Sequence, residues 1–361
     1  MHKTILLALL FDRSTGGGQI KWRFIFSMLC FSVGTVTAQE KDGAALTAMA
    51  IVQRAIDNAG GDARLEAVKS AEFISQLIVG DKDTLSIVIK NKGYDKCYMS
   101  LMSFGYENTT TVFNAGKAVL IKNDTVAAIT DLKKLEELAL RCYFSIDYGY
   151  KKLGYKLSRI EDLHEGNFNC YGVLAESPLG TKTANYYDMK TGNCTMIMYA
   201  GGGRTVFTSF LPYRGNVYTR DEILRDARGK FTRSYLTEIN IDENPDENWF
   251  VLPPAGDHKP PVSFKAGKFR YLNARDSLAI ITRGENRQVE SNGRSSTEFR
   301  IEWLGPSEYV LYRLKNPSAP PANDNIEFIR TKITMWGGNK YYCHYLTSAN
   351  QYGACGFERV E

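Results

Sequence analysis

The sequence predicts a mostly β (α+β) protein of two domains. The first is an incomplete antiparallel β-barrel with helical lid segments, and the second is a small all-β barrel or sandwich. Three observations lead to this fold class. Strand-length apolar runs separated by glycine and asparagine turns recur along most of the 361 residues. Helical periodicity occurs in only two places, and four prolines within residues 252–261 interrupt the chain.

Apolar residues at spacings of three and four predict the helices. The first stripe covers residues 45–69, where Gly60-Gly61 ends one helix and Asp62 caps a second, shorter one. The second stripe runs from Leu132 to Ile146 as one amphipathic helix, with Thr130 or Asp131 as its N-cap. Both helices carry one apolar face, so each is expected to lie on a sheet.

Strands are predicted around these helices, at residues 71–79, 85–90, 96–102, 109–114 and 117–122, and again from 156 to 241. Residues 186–199, YYDMKTGNCTMIMY, form the clearest hairpin, because Gly192 can take a positive φ in the turn. Simple alternation places Cys194, Met196 and Met198 on one face and Thr195, Ile197 and Tyr199 on the other. Neither face is polar, so both are expected to be covered.

The proline-rich residues 252–261 are predicted to be a stiff linker that cannot join a sheet, between a first domain of residues 39–251 and a second of residues 262–361. The second domain shows no helical stripe. Strands are predicted at 268–272, 278–282, 298–303, 309–314, 327–336, 340–347 and 352–358, with hairpin turns at Asn292-Gly293 and Gly337-Gly338.

The N-terminus predicts export. Lys21-Trp22-Arg23, the apolar residues 24–36 and a cleavage site after Ala38 make residues 1–38 a signal peptide. Residues 1–20 are expected to precede the true translation start. Cleavage is favoured over lipidation of Cys30, because the residue before it is not small. The remaining sequence has no apolar run of 18 residues, so no transmembrane span is expected in the mature chain.

The charge balance and the cysteine spacings disfavour nucleic-acid binding and metal binding. A net charge of +5, partly carried by the signal segment, is too balanced to predict nucleic acid as a partner. An exported chain can form disulfides, and Cys343 and Cys355 are expected to lie opposite each other in the last hairpin. The cysteine spacings match no zinc pattern and histidines are few, so no metal and no cofactor is expected.

Catalytic motifs are missing from the sequence. It contains no G-x-S-x-G, no H-E-x-x-H and no Walker loop, so the protein is predicted not to be an enzyme and no catalytic residue is assigned. His164 and His344 are expected to be solvated surface groups. The acidic loop at residues 242–247 lacks the regular spacing of an EF-hand, so calcium binding is not favoured there.

Three motifs resemble the LolA/LolB-like lipoprotein-sorting proteins of Gram-negative envelopes, over about residues 48–253. They are a helix that ends on Asn58-Ala59-Gly60-Gly61, the hairpin Tyr187-Asp188-x-x-Thr191-Gly192, and residues 239–242 followed by Trp249-Phe250-Val251-Leu252-Pro253. The resemblance implies a half-barrel that holds acyl chains under helical lids, in the periplasm or outer envelope. It also implies an arginine that holds the lid closed, for which Arg141, Arg159 and Arg204 are available and none is selected. The region from Phe264 onwards resembles lipocalin-like domains only in strand count and length.

On this resemblance, the predicted function is non-enzymatic binding or carriage of lipid acyl chains or lipoproteins. The cavity candidates, chosen by strand parity, are Leu85, Ile87, Ile89, Met196, Met198 and Phe207. A filled core is the alternative explanation for any of these residues. The alternative function is an envelope or secreted recognition or structural module that binds a protein or glycan through the C-terminal domain, with Trp303 and Trp336 as candidate contacts. Nothing in the sequence predicts the oligomeric state.

Overall fold

The computed structural model describes residues 46–79, 83–102, 108–272, 279–293, 295–314, 326–349 and 351–361. The predicted signal peptide, with Cys30, lies outside these ranges. Within them the chain is mostly β, with one open sheet and one closed barrel, as predicted. None of the described helices is both long and apolar enough to cross a membrane.

The first sheet has 14 strands, and every neighbouring pair with a described register is antiparallel. Its strands are β1 (Ser70–Val79), β2 (Asp83–Lys92), β3 (Lys96–Met102), β4 (Thr109–Asn114), β5 (Lys117–Lys122), β6 (Thr125–Ile129), β7 (Lys156–Glu165), β8 (Phe168–Glu176), β9 (Lys182–Asp188), β10 (Cys194–Tyr199), β11 (Arg204–Tyr213), β12 (Asn216–Arg225), β13 (Phe231–Ile241) and β14 (Gly256–Asp257). Their order is β14-β6-β5-β4-β3-β2-β1-β13-β12-β11-β10-β9-β8-β7. The ends, β14 and β7, do not pair, so the sheet is an incomplete barrel.

Four short helices lie on one face of this sheet: α1 (Ala48–Asn58), α2 (Asp62–Ala67), α3 (Leu132–Arg141) and α4 (Ile146–Lys152). The predicted single helix from Leu132 to Ile146 is therefore two helices. Asp131 caps α3 through the backbone of Lys133, as predicted, and Ser145 caps α4. The break arises because the Ser145 backbone is extended, which lets its side chain accept from a new first turn.

The helices and the concave face of the sheet enclose two groups of buried side chains. The first half-core joins α3 to β1–β5, β12 and β13, and the second joins α1 and α4 to β8–β11. The first half-core comprises Val68, Ala71, Phe73, Leu77, Val79, Leu85, Ile87, Ile89, Cys97, Met99, Leu101, Phe113, Ala118, Leu138, Cys142, Phe144, Tyr218, Ile239 and Ile241. The second comprises Ala48, Ile51, Val52, Ala55, Ile56, Leu65, Leu140, Ile146, Tyr148, Tyr150, Val173, Ala175, Tyr187, Cys194, Ile197 and Phe207.

A β-bulge corrects the predicted parity of the 194–199 strand. Cys194 pairs with Tyr187 but Met196 pairs with Tyr186, so Thr195 is an extra residue in the strand. The bulge places Cys194 and Ile197 together in the second half-core. Met196 and Met198 lie on the opposite face.

The second sheet is a closed eight-stranded barrel in which sequential strands pair. Its strands are β15 (Gly267–Tyr271), β16 (Ile280–Arg283), β17 (Arg287–Ser291), β18 (Ser296–Trp303), β19 (Glu308–Arg313), β20 (Phe328–Gly337), β21 (Lys340–Thr347) and β22 (Tyr352–Arg359). Both predicted turns connect consecutive strands. The sequence had not predicted β17, which is short and polar.

The barrel packs against the convex face of the first sheet. Tyr98, Val112 and Ile121 from the sheet share a buried group with Met335 and Tyr342 of the barrel. Trp249 and Phe250, on a 3₁₀ turn at Glu247–Phe250, complete that group. Over β3–β6 the sheet is therefore covered on one face by helices and on the other by the second domain.

The proline-rich segment is not a free linker, contrary to the prediction that it cannot join a sheet. Gly256 and Asp257 pair with Val126 and Thr125 as strand β14. His258 follows, donates its backbone N–H to Asp124 and stacks on Trp336 with ring centroids 3.8 Å apart. The prolines flank this two-residue strand, so its backbone donors remain available.

The register of the last hairpin is as predicted, with Cys343 directly opposite Cys355. Both are thiols in the structure, with their Sγ atoms 3.3 Å apart. We expect them to form a disulfide when the mature protein is exposed to an oxidant, since opposed strand positions bring the two Cβ atoms close. Mass spectrometry of unreduced peptides should show the two segments joined. Linkage of either cysteine to Cys170 or Cys194 instead would contradict this prediction, and Cys343→Ser is the control.

Candidate functional site

Helix α3 lies across the concave face of the half-barrel. Glu136 accepts a hydrogen bond from the backbone N–H of Leu179, in the β8–β9 turn, at 3.1 Å. At the other end, the side-chain amide of Asn91 on β2 donates to the carbonyl oxygen of Arg141 at 2.9 Å. Leu138 and Leu140 are buried beneath the helix, whereas Leu132 at its start is 65% exposed. Helix α3 is thus held at its middle by Glu136 and at its C-terminal end by Arg141, while its first residue is exposed.

Helix α1 is held by the turn of the 186–199 hairpin. The Arg54 guanidinium donates to the carbonyl oxygens of Met189 at 3.0 Å and Lys190 at 2.6 Å. Asn58 donates to the carbonyl oxygen of Thr191. Two of the motifs behind the family resemblance, one around Asn58 and the other around Thr191, therefore contact each other.

Gly192 is required at this contact for two reasons. Its φ is +75°, and a Cβ there would come within 3.0 Å of the Arg54 side chain. We expect Gly192→Ala to destabilise the fold by about 1–2 kcal/mol through the backbone alone, and further by displacing Arg54. Gly116→Ala is the matched control, since its φ is +82° and a Cβ there meets nothing within 4 Å. Urea denaturation should show the larger loss for Gly192→Ala, and equal losses would contradict the role of Arg54.

The six predicted cavity residues are divided between the two faces of the sheet. Leu85, Ile87 and Ile89 lie in the first half-core, and Phe207 lies in the second. Met196 and Met198 face away from the helices, and Met198 is 40% exposed. The structure therefore brings together three of the six beneath α3. The two methionines are the ones that the bulge at Thr195 reverses.

The three available arginines occupy different environments. Arg159 pairs with Asp162 at 2.6 Å, and Arg204 is exposed at the start of β11. Arg141 is only 9% exposed, and its Nε and Nη2 atoms have no hydrogen-bond acceptor among the described residues. Burial lowers the pKa of Arg141, and the nearby negative charge of Glu137 opposes that shift. Its low exposure thus distinguishes Arg141 from Arg159 and Arg204, a difference that the sequence did not indicate.

A buried hydrogen-bonded pair of polar side chains, Tyr187 and Asp147, lies under α1 and α4. The Tyr187 hydroxyl donates to the Asp147 carboxylate at 2.6 Å, and burial raises the pKa of Asp147 to about 6. Beside it is a cavity of about 30 Å³, lined by Ala55, Ala59, Ser145, Asp147, Asn193, Cys194, Phe210, Val217 and Thr219. Such a space has room for roughly one or two water molecules. Ligand pockets are typically about 300–1,000 Å³, so the helical layer is closed over this region.

The contact between the two domains contains a buried polar group that the sequence did not indicate. His344 is 2% exposed, which corrects the prediction of a solvated side chain, and its Nε2 lies 3.1 Å from the Tyr98 hydroxyl. Tyr98 donates to Thr334 at 2.7 Å. Lys90, paired with Glu72, lies 4.7 Å from the ring centroid of Trp249. Strand parity placed the His344 side chain on the outside of the barrel. It is buried because residues of the other domain pack against that surface.

A second interdomain contact surrounds a cavity of about 20 Å³ beside Asp124. Lys332 donates to Asp124 at 2.7 Å, and Ser307 donates to the same oxygen at 2.5 Å. The backbone of Asp124 also accepts from the N–H of His258. The carboxylate of Asp124 thus bonds Lys332 and Ser307 of the barrel, and its backbone bonds the linker, so this contact joins the domains.

The acidic loop also serves the packing of the chain. Asp242 accepts from the backbone of Lys69, Asp246 pairs with Lys340 at 3.1 Å, and Glu247 pairs with Lys92 and Lys96. Its carboxylates therefore point to different partners. Among the described residues, no group of three or more His, Cys, Asp or Glu side chains is placed to hold a metal ion.

The tryptophans proposed for recognition are both engaged within the protein. Trp336 stacks on His258, and Trp303 packs on Tyr309 with ring centroids 4.8 Å apart. Lys265 covers Trp303 at 4.7 Å from the ring centroid. His164 is exposed and bonded to Asn169, as expected for a surface histidine. These rings leave little aromatic surface for a partner.

Sequence comparisons identify no relative for this chain: no family model matches it, and no curated protein matches it. Among solved structures, the chain is similar to a LolA superfamily protein from Nitrosomonas europaea, with a TM-score of 0.41 and 10% identity over 57% of this chain and 98% of that one. It is also similar to a DUF1329 family protein from Desulfovibrio piger, with a TM-score of 0.39 and 10% identity over 56% and 97%.

A longer but weaker similarity links the chain to MucB, with a TM-score of 0.24 and 10% identity over 87% of this chain and 93% of that one. The MucA/MucB complex of Pseudomonas aeruginosa gives a TM-score of 0.22 and 9% identity. A LolA superfamily protein is therefore among the solved structures to which this chain is similar. At such identities and TM-scores below 0.5, these similarities do not define a function.

Proposed function

We propose that this protein is an exported, non-enzymatic carrier or binder of lipid acyl chains or acylated proteins. The proposal rests on the way in which the concave face of the sheet is covered. A broad apolar surface, including Leu85, Ile87 and Ile89, is covered by a helix of 10 residues rather than by a second sheet. A short helix that is held by its apolar face and by the hydrogen bonds of Glu136 and Arg141 can be lifted without breaking the sheet beneath it.

The energetics permit such an exchange. Lifting α3 exposes Leu138 and Leu140, which costs about 3–6 kcal/mol for two buried leucines. A 16-carbon tail laid on the same surface supplies roughly 12 kcal/mol at about 0.8 kcal/mol per methylene, before the costs of association. The tail can therefore offset the displaced helix.

The sequence motifs support the same interpretation. The Asn58 and Thr191 motifs of the lipoprotein-sorting resemblance form one contact, which joins the first helix to the sheet. The proposal extends to compartment and cargo: export through residues 1–38, residence in the periplasm or outer envelope, and a lipid or lipoprotein as ligand. The recognition function has less support, because Trp303 and Trp336 are packed within the protein.

The direct test is mass spectrometry of an organic extract of the mature chain, residues 39–361, purified gently from its native envelope. We expect an acyl lipid or acylated peptide in near-stoichiometric amount. A clean extract, together with failure of the purified protein to bind an uncharged tail-binding fluorophore, would overturn the proposal.

A lock on α3 tests whether the helix must move. Glu136→Cys with Leu179→Cys places two thiols where a side chain now bonds the facing backbone. A short, reducible bifunctional reagent that joins the two thiols should abolish binding of the fluorophore, and reduction should restore it. Each single variant, treated identically, is the control. Undiminished binding by the cross-linked double variant, with the cross-link verified by mass, would show that α3 is not the gate.

A further inference from the structure

Arg141 differs from Lys90 and Arg283, the other buried cations of the described chain, in having charged N–H groups without a hydrogen-bond acceptor. Lys90 pairs with Glu72. Arg283, 2% exposed inside the barrel, donates from Nε to Gln288, from Nη1 to the carbonyl oxygen of Phe264, and from Nη2 to two tyrosine hydroxyls. The other buried guanidinium of the described residues thus donates hydrogen bonds from all three of its nitrogens.

The position of Arg141 places its charge beneath the helical layer. It is the last residue of α3, between Leu140 in the second half-core and Cys142 in the first. Its backbone is fixed by Asn91, but its side-chain Nε and Nη2 atoms find no acceptor among the described residues. Buried donors without protein partners are rare in native structures, and a bound water or a bound anion can satisfy them.

The charged and titratable groups near Arg141 come from several elements. Glu137 lies one turn earlier on α3, Glu222 lies on β12, and Cys97 and Tyr199 lie on β3 and β10. Burial raises the pKa of Glu137, which weakens it as a counter-ion. Tyr199 is bonded to Thr205 at 3.3 Å, so its hydroxyl is already engaged.

We propose that Arg141 binds the acidic group, a phosphate or a carboxylate, of an amphiphile whose tail lies on the concave face of the sheet. The inference rests on the proposed function and specifies its ligand as anionic rather than neutral. Guanidinium donors match both anions in planar, bidentate geometry. The apolar half-cores on either side of Arg141 would hold the tail, and the arginine would set its position along the face.

The test compares three ligands with one tail: hexadecyl phosphate, hexadecanoate and hexadecanol. Each is titrated against the mature protein loaded with the uncharged fluorophore. We expect at least one anion to bind about tenfold or more tighter than the alcohol, in line with a charge-assisted hydrogen bond. The stronger of the two anions identifies the headgroup as phosphate or carboxylate.

Arg141→Met should bring the anion-to-alcohol ratio close to one and leave the alcohol affinity within about threefold, since it keeps the length and apolar stem of the side chain. Arg141→Lys should retain part of the preference as a point charge, and it also serves if the methionine variant fails to fold. Arg159→Met, which removes an arginine already paired with Asp162, is the control and should change nothing.

The possible failures are distinguishable. If the wild type binds all three ligands equally, or if the preference for an anion survives both Arg141 variants, this inference is overturned while the carrier function stands. If no ligand displaces the fluorophore and the fluorophore itself does not bind, the carrier function fails and the inference fails with it.

Discussion

Acidification from pH 7 to pH 3 is expected to weaken the fold by up to about 5 kcal/mol through His344 alone. Burial, reinforced by the positive charge of Lys90, lowers the pKa of His344 to about 3, from an ordinary value of 6.5. Between these values the unfolded chain binds a proton that the folded chain does not. The stabilisation is therefore complete above pH 6.5 and is lost as the pH falls towards 3.

The loss should be localised at the contact between the domains. Protonated His344 would place a second positive charge beside Lys90, next to Tyr98 and Trp249. We expect the barrel to separate from the first sheet before either core unfolds. Proteolysis at the proline-rich segment, including the buried His258, should then become faster at pH 4 than at pH 7.

His344→Gln isolates this effect, because glutamine can hydrogen-bond with Tyr98 and does not titrate. Urea denaturation at pH 7.5 and pH 4.0 should show a much smaller loss of stability on acidification in the variant than in the wild type. His164→Gln, at an exposed position, is the control and should keep the wild-type slope. An unchanged slope in His344→Gln would show that His344 is not the acid-sensitive group.

The sequence was sufficient for most of the architecture, because strand and helix periods are local properties. Glycine turns marked the 186–199 hairpin, and the strands and turns of the second domain predicted a barrel or a sandwich, which the structure shows to be a closed barrel. Opposed hairpin positions also predicted the Cys343–Cys355 register. Each of these depends on residues that are neighbours in the chain.

The wrong predictions concern residues whose position is decided by contacts with distant parts of the chain. Thr195 is bulged and its hydroxyl donates to the carbonyl oxygen of Tyr186, so the parity of Met196 and Met198 is reversed. Proline spacing predicted a stiff linker that could not join a sheet, but two residues between the prolines pair with the edge strand β6. His344 looked exposed because the surface that buries it belongs to another domain.

The candidate site was less predictable than the fold. Strand parity gave Leu85, Ile87 and Ile89 the correct face, since β2 contains no bulge. Nothing in the sequence distinguished Arg141 from Arg159 or Arg204, because a missing hydrogen-bond partner is a property of packing. The Asn58 and Thr191 motifs lie far apart in the sequence, and only the fold shows that they contact each other.

Asp147→Asn is expected to stabilise the protein at pH 7.5 by up to about 3 kcal/mol. The carboxylate is buried at the start of α4, and its pKa of about 6 lies above the ordinary value of 3.8. Between those values the folded chain binds a proton that the unfolded chain does not, so stability falls as the pH rises through this range. Above pH 6 the buried carboxylate remains ionised at full cost, partly offset by the hydroxyl of Tyr187.

The amide preserves the acceptor for Tyr187 and carries no charge, so the gain should shrink towards zero at pH 4. Denaturation of wild type and variant at both pH values measures the difference, and Asp57→Asn, at an exposed position, is the control. An equal gain at both pH values would mean that ionisation is not the cause. Since His344 and Asp147 change stability with opposite signs, the wild-type pH profile partly conceals both. On acidification, Asp147→Asn should therefore lose more stability than the wild type, and His344→Gln should lose less stability or gain some, because in each variant the remaining group is no longer opposed.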